Sequence, residues 1–479
     1  MSSSTTEIAA QDQLWLHMDR PNNLMIVRAL MWLDHEPDWD LVHELLQERL
    51  IDRYPVFSQI PVERNGRWHW VPDPEFALDR HLTHRQLDGA DQPQLRDLIS
   101  SEFSEPLPRD QPLWSIQVIH GVRDEDGVAR PVLFSSFHHS LADGIRLVQV
   151  TLGLCDSVVG ATPTLVGRGQ DSQGGGLAGT AIAALRRGFS DGVDFGLGLA
   201  RAGISFPIQV FANALSPRSL IDLVESVASQ ENTLVNTGSE LVRLLTATQA
   251  TTTSWSGKPG PAKRVAWASD LPLEPLKAAA IRHNGTVNDA MLAIVSRALS
   301  AYLAEHQALV PGIQWLVPVS IQPLDADLPK DLGNHFALVF LEMPLGIEDP
   351  DELFAALQER MLRIKHSAVP VLTTGLQWMV AESPKQIAVA LTNFFANKGA
   401  GVLTNVPGPR AEISFAGVTV TRMLGWAPAS GDQPLCLCIY SYNDSICIGI
   451  SADAELVPDP ERIAELVQAA HDELTAAPC

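Results

Sequence analysis

Phe137-His138-His139-Ser140-Leu141-Ala142-Asp143-Gly144 is the stretch that decides how this chain is read. Pro131 to His139 has the character of a strand, and alternation along a strand puts His138 and His139 on opposite faces. The two imidazoles therefore do not share one ligand; one faces a cleft while the other is held in the fold. The step from His139 to Asp143, followed by Gly144, predicts a sharp exit from strand to helix. Gly144 would supply the dihedral freedom or close approach such an exit needs. Beyond it Ile145, Leu147, Val148 and Leu152 predict a helix packed by one face. An imidazole at a strand end suits general-base work, because its ordinary pKa lies near neutrality. Taking the proton of an alcohol gives an alkoxide-like nucleophile for a thioester carbonyl. That route needs no covalent enzyme intermediate and suits a chain without a nucleophile elbow. Other readings stand beside this one: surface histidines, satisfied core histidines, or metal ligands with Asp143. Metal binding is disfavoured, since adjacent imidazoles diverge and no second ligand cluster is visible.

Working outward, Pro112 to Gly121 alternates as a strand, with Trp114, Ile116 and Val118 on one face. Turn chemistry at Asp124-Glu125-Asp126-Gly127 makes Pro131 to His139 the returning strand of a hairpin or meander. Earlier, Leu30 to Leu33 is a short apolar run before a helical segment at Trp39 to Leu50. A composition shift follows at Gly167 to Gly179, rich in Gly, Ser and Gln. The ending of a phosphate-binding loop is missing there, so a flexible linker is the better reading. Leu177 to Thr251 is helical in character, and Thr251 to Pro261 is another boundary. The last part opens with a strand at Val265 to Ala268 and a helical pair, Pro275 to His283 and Val287 to His306. Trp315 to Val319 and His335 to Met343 read as buried strands. Tyr440 to Ile450 alternates around Tyr442-Asn443-Asp444, and Pro460 to Ala476 closes the chain with a helix. This layout is α/β: two halves, residues 1–160 and 263–479, joined by a linker and helical crossover at 161–262.

The 479 residues carry a net charge of −22, and no run of Lys or Arg offers a basic stripe, which argues against nucleic-acid binding. With 19% charged and 46% apolar residues, the chain buries a large core or keeps an apolar surface for greasy partners. No segment approaches the roughly 18 consecutive apolar residues of a membrane span. Met1 to Gln13 lacks the basic start and apolar core of a secretory signal. Cys155, Cys436, Cys438, Cys447 and Cys479 are odd in number and scattered, so reduced thiols in a cytoplasmic protein are expected.

The stretch around His139 matches the HHxxxDG motif of CoA-dependent acyltransferases, which chloramphenicol acetyltransferase-like enzymes and peptide-synthetase condensation domains share. Within that superfamily the chain resembles the bacterial bifunctional wax ester synthase/diacylglycerol acyltransferases. Their further blocks recur in order: Pro112-Leu113-Trp114, Thr286 to Ala293 around Asn288-Asp289, Gly333-Asn334, and Asn405-Val406-Pro407-Gly408-Pro409. Asp12 to Leu16 and Ser441 to Asp444 are similar to family blocks near each end. The resemblance spans nearly the whole chain except the linker. It departs at Ser115, where relatives are often acidic, and at Leu24 to Arg28, where many carry Met-His-Val-Gly.

The resemblance implies two chloramphenicol acetyltransferase-like subdomains with an active-site tunnel at their interface. A fatty acyl-CoA would enter one mouth and diacylglycerol or a long-chain alcohol the other, giving triacylglycerol or wax ester. It implies that His139 is the general base, that His138 fixes the strand, and that Asp143 and Gly144 hold the loop. Asn288 would sit across the tunnel near the reacting groups, although Asn288-Asp289 also reads as a helix start. Pro112, Leu113, Trp114 and Asp289 are expected at the substrate, with a core role for Trp114 at least as well founded. No cofactor or metal is implied; CoA arrives as a cosubstrate. A peripheral association with membrane or lipid droplets is expected, through Leu177 to Leu215 with Arg186, Arg187 and Arg201, and a packed crossover is the competing reading. Broad acceptor choice is expected, with Ile26 and Arg28 the first places for a bias. The rivals are a condensation enzyme acting on carrier-bound substrates and a non-catalytic lipid-binding protein of the same fold.

Overall fold

A computed structural model describes residues 5–158, 251–320, 328–366 and 385–476, apart from residues 88, 125 and 335. The expected linker at Gly167 to Gly179, the helical crossover and the lipid contact at Leu177 to Leu215 lie outside the described residues. The first part holds β1 (Thr6–Glu7), β2 (Ile26–Leu33), β3 (Gln59–Arg64), β4 (Arg67–Pro72), β5 (Leu82–Gln86), β6 (Trp114–Arg123), β7 (Ala129–His138) and β8 (Cys155–Ser157). Its helices are α1 (Ala10–Met18), α2 (Trp39–Leu46), α3 (Gln92–Phe103) and α4 (Gly144–Gly153). The later part holds β9 (Lys263–Pro272), β10 (Gly312–Ser320), β11 (Phe336–Pro344), β12 (Gly401–Pro407), β13 (Ile413–Phe415), β14 (Val418–Trp426), β15 (Leu435–Tyr442) and β16 (Ser445–Asp453). Its described helices are α5 (Leu273–Arg282), α6 (Val287–Glu305), α7 (Pro350–His366), α8 (Lys385–Ala396) and α9 (Pro460–Thr475).

The β6–β7 hairpin forms as its alternation requires. Trp114, Ile116 and Val118 are buried while Ser115 and Gln117 between them are half-exposed. Gly127, with φ of +78°, closes the turn by donating its N–H to Asp124 O at 2.8 Å. The β15–β16 hairpin turns through Asn443 and Asp444, both left-handed, as a two-residue loop between right-twisted strands demands.

Among the described residues the strands form three sheets. Seven strands lie in the order β5-β6-β7-β2-β14-β13-β8, and six in the order β11-β10-β12-β15-β16-β9. A small β1-β4-β3 sheet stands apart. The seven-stranded sheet is completed from the far end of the chain: β14 pairs antiparallel with β2, from Leu33 opposite Val420 to Arg28 opposite Trp426. β13 likewise joins β8. The chain leaves the six-stranded sheet after β12, lends two strands to its neighbour and returns as β15. Each of the two large sheets has its own apolar core, that of the seven-stranded sheet taking in Trp70 of the small one, and a third cluster binds the halves together through Trp32, Trp267 and Trp426. Their rings meet edge to face at 6.0 and 6.1 Å. Because strands of one half are fixed inside the other, the cleft between them has a wall that neither half builds alone.

Candidate active site

The two histidines emerge where β7 ends, and the backbone there is pinned on both sides. His138 donates its N–H to Leu113 O at 3.0 Å, and His139 donates to Met25 O at 2.7 Å. The Pro-Leu-Trp block thus positions the histidine strand. Leu113 and Trp114 are each only 1% exposed and sit in the core of the first half. The Trp114 indole N–H bonds Phe57 O at 2.8 Å, and its ring stacks on His81. Pro112, Leu113 and Trp114 are not among the residues lining the cavity, and neither is Asp289. Leu113, Trp114 and Asp289 hold the fold here rather than lining that cavity. Asp289 closes a capping box at the start of α6: its Oδ2 accepts from Thr286 N at 2.8 Å, and its own N–H bonds Thr286 Oγ1 at 3.2 Å.

His138 turns away from the cavity and is 2% exposed. Its Nδ1 accepts from the Ser140 N–H at 3.1 Å, which leaves the proton of the neutral ring on Nε2. Nε2 faces Asp19 Oδ2 at 3.7 Å, beyond hydrogen-bonding reach but close enough for attraction. Asp19 accepts from the Met25 N–H at 2.9 Å and from Arg109 at 3.0 Å. Burial works to raise the Asp19 carboxyl, but these partners and His138 outweigh it and hold the group below its usual range.

His139 is 8% exposed and forms part of the wall of a cavity of about 690 Å³ at the seam of the two halves. Val148, Met291, Val319, Phe336 and Met423 give that cavity apolar walls from both halves. Burial pushes the imidazole down to about 4, against the opposing pull of the Asp143 charge. The ring is thus unprotonated at neutral pH, as a base must be. Among the described residues, Nδ1 of His139 has no hydrogen-bond partner. Its ring is instead stacked on Trp15 from α1 at 4.1 Å, with Phe336 tilted beside it at 5.7 Å.

The loop that follows is built from distant chain. Asn334 Nδ2 donates to His139 O and to Asp12 Oδ1, each at 2.8 Å. The Asp143 N–H bonds Gly333 O at 3.2 Å. Asp143 caps α4 by accepting the Arg146 N–H at 3.0 Å, and its other oxygen lies 4.0 Å from Arg146 Nε. Burial, helped by the nearby Asp143 charge, pushes the Asp12 carboxyl up to about 7 against the hydrogen bond from Asn334. Gly144 opens α4 on the cavity wall, but its expected backbone role is corrected. Its φ is outside the left-handed region, and a Cβ there would meet no atom within 4 Å.

Across the cavity Asn288 lies in the first turn of α6 without capping it. Its Oδ1 accepts from Asn405 Nδ2 at 3.0 Å, so the amide is oriented by the Asn-Val-Pro-Gly-Pro block. Gly408 in that block has a backbone reason: a Cβ there would lie 2.1 Å from Ser441 O. Arg28 is buried, and its guanidinium bonds the carbonyls of Glu102, Phe103 and Glu105 at 2.9 Å each, tying β2 to the end of α3. Ile26 is buried opposite His138. Cys155, Cys436, Cys438 and Cys447 are buried free thiols, with Cys155, Cys436 and Cys447 pushed up to about 12 by burial. Trp15, Asp12, Asn334, Asn405 and Phe336 are the site residues to which the sequence assigned no role.

Residues 8–291 match the wax ester synthase/diacylglycerol acyltransferase catalytic domain, and residues 332–475 match the C-terminal domain of the same proteins. A putative diacylglycerol O-acyltransferase of Mycobacterium tuberculosis is 25% identical over 97% of this chain and 91% of its own length. Wax ester synthase/diacylglycerol acyltransferase 2 of Arabidopsis thaliana is 24% identical over 86% of this chain and 84% of its own. Among solved structures, the fold is similar to the wax ester synthase/diacylglycerol acyltransferase of Marinobacter aquaeolei VT8, with a TM-score of 0.64, 19% identity and 98% of each chain covered. It is also similar to the first condensation domain of the calcium-dependent antibiotic synthetase, with a TM-score of 0.56, 13% identity, and 100% of this chain and 98% of that one covered. With the catalytic-domain match running through the histidine loop and on to Asn288, this chain belongs to the wax ester synthase/diacylglycerol acyltransferase family.

Proposed function

We propose that the chain moves a fatty acyl group from acyl-CoA to the hydroxyl of diacylglycerol or a long-chain alcohol. The observation that carries this reading is a buried, neutral imidazole on the wall of an apolar cavity shared by two halves. His139 takes the hydroxyl proton as the oxygen attacks the thioester carbonyl. Collapse of the tetrahedral intermediate breaks the C–S bond, and the thiolate leaves with the proton that the imidazolium returns. The ester is released as triacylglycerol or wax ester. Asn288, its Oδ1 held by Asn405, is left with amide N–H groups to offer a developing oxyanion. The step needs no metal or redox cofactor. Lys277 and Arg410 also line the cavity, and in a chain of net charge −22 they suit the phosphates of CoA. A hydrophobic wall discriminates one methylene by only about 1–3 kcal/mol, so apolar acceptors of differing tail are accepted at a common site.

Apolar substrates also imply that the protein works at a membrane or lipid-droplet surface on the cytoplasmic side. Among the described residues no helix is long and apolar enough to cross a membrane. Incubating the purified protein with labelled palmitoyl-CoA and either diacylglycerol or hexadecanol tests the reading. Labelled ester with free CoA is expected from both acceptors. Absence of both products overturns it, and failure of hexadecanol to compete with diacylglycerol overturns the shared site.

A further inference from the structure

Among the described residues no carboxylate forms an ion pair with His139, yet the proposed reaction puts a positive charge on this buried ring. In a serine-hydrolase triad a carboxylate on Nδ1 orients the imidazole and stabilises the imidazolium. Here the group lying flat against the ring is aromatic. The Trp15 indole sits 4.1 Å from the imidazole centroid with 25° between the planes. Phe336 is tilted against another side of the imidazole at 5.7 Å and lies 5.8 Å from Trp15. An indole face carries negative quadrupole density, attracts a cation above it, and does so more strongly where water is excluded.

The wiring around Trp15 holds this stack in place. Asp12 and Trp15 are three apart on α1 and therefore on one side of it. Asp12 is tied by Asn334 to the His139 carbonyl, so a single amide clamps the helix bearing the indole to the loop bearing the imidazole. The ring also feels charge from several directions. Asp143 opposes it from the loop, with Arg146 behind on α4; Asp12 lies on α1; and His138 adjoins it in the chain, backed by Asp19 and Arg109. Asp143 is the largest of the attractive influences on it, but it is committed to capping α4.

We propose that Trp15 is the positioning residue of this site: its indole face orients the His139 imidazole and stabilises the imidazolium formed as the acceptor hydroxyl loses its proton. The inference rests on the acyltransfer reading above and extends it to a residue that touches the base rather than the substrate. It makes catalysis depend on the electron density of the indole, not merely on its shape.

The test uses the full chain with tryptophan at position 15 replaced site-specifically by mono-, di- and tetrafluorotryptophan. Trp15→Phe and Trp15→Leu stand beside these, and kcat, KM and Tm are measured for each. Fluorination drains the ring face while nearly preserving its volume. The expected result is a stepwise fall in kcat with each added fluorine, about tenfold across the series, with KM and Tm unchanged. Trp15→Phe retains more kcat than Trp15→Leu. A flat kcat across the fluorinated series overturns the proposal even if Trp15→Leu is inactive or fails to fold. Loss that appears in KM alone also overturns it, placing Trp15 in substrate binding. If the unsubstituted protein makes no ester, the acyltransfer reading itself fails, which is a different outcome from a flat series.

Discussion

His138 and His139 share a backbone and almost nothing else. On the His138 side both ring nitrogens face polar groups: the Ser140 N–H on Nδ1, and Asp19, fixed by Arg109 and the Met25 N–H, 3.7 Å from Nε2. On the His139 side the ring meets indole, phenyl and cavity, with its proton-accepting capacity left open. The difference teaches that a doubled histidine at a strand end need not be a doubled function. One-residue alternation is enough to give the fold a lock and the cavity a base.

The largest effect that can break this division is His139→Ala. Loss of a general base costs about 10²–10⁴-fold in kcat, with an unchanged fold by circular dichroism. Turnover within a factor of a few of the parent contradicts the assignment. Next in size is Asp143→Ala, which removes the cap of α4 and the anion facing buried Arg146. A loss of about 3 kcal/mol is expected, at the low end for a broken buried pair because the charges stand 4.0 Å apart. Urea unfolding checks it; an inactive variant with the parent's unfolding midpoint moves Asp143 from support to chemistry.

Asp12 sharpens the comparison through pH. Its folded carboxyl is raised to about 7 from the ordinary 3.8, so the native state binds more protons than the unfolded chain in that window. Stability contributed by this group is therefore present at low pH and lost as pH rises towards 7. Asp12→Asn stays neutral throughout, so its stability relative to the parent should improve by roughly 2 kcal/mol between pH 5 and pH 8. A difference that is constant with pH contradicts the buried, reluctant carboxyl. Asn405→Asp is a smaller perturbation: a carboxylate there accepts from the Asn288 amide N–H and turns its oxygen to the cavity. About a tenfold loss in kcat/KM is expected, the scale of one hydrogen bond. Asn405→Ala should lose less. The smallest effect is Gly144→Ala, where a methyl meets no atom within 4 Å. Stability should change by less than about 1 kcal/mol, and towards the alanine. A severe loss would restore the special backbone that the sequence suggests for Gly144.

Local periodicity made much of this legible. The β6–β7 hairpin, the split of Tyr440 to Ile450 at Asn443-Asp444 and the buried strands near Trp315 and Met343 are short-range patterns, and they fold as such. A helix start at Asn288-Asp289 was legible too, but the cap proves to be Thr286 two residues earlier, and Asp289, which closes its capping box, was assigned to the substrate. What stayed hidden depends on distance along the chain. Nothing in Val418 to Trp426 states that it pairs with β2, because strand pairing is decided by tertiary packing. Asn334 reaches Asp12 across 322 residues and His139 across 195, so its clamp leaves no local signature. Trp15 stood in a recognisable block, but a stacking partner cannot be read from spacing when it lies on another element.

The division between lock and base is tested most directly by measuring kcat and unfolding free energy together for His138→Ala and His139→Ala. The expected result is a crossing pattern. His138→Ala should lose about 2 kcal/mol of stability, as an emptied buried site does, while keeping kcat within about tenfold. His139→Ala should lose kcat by about 10²–10⁴-fold while its stability moves by less than about 1 kcal/mol. Equal losses of kcat in both variants, or the larger one in His138→Ala, would contradict the account.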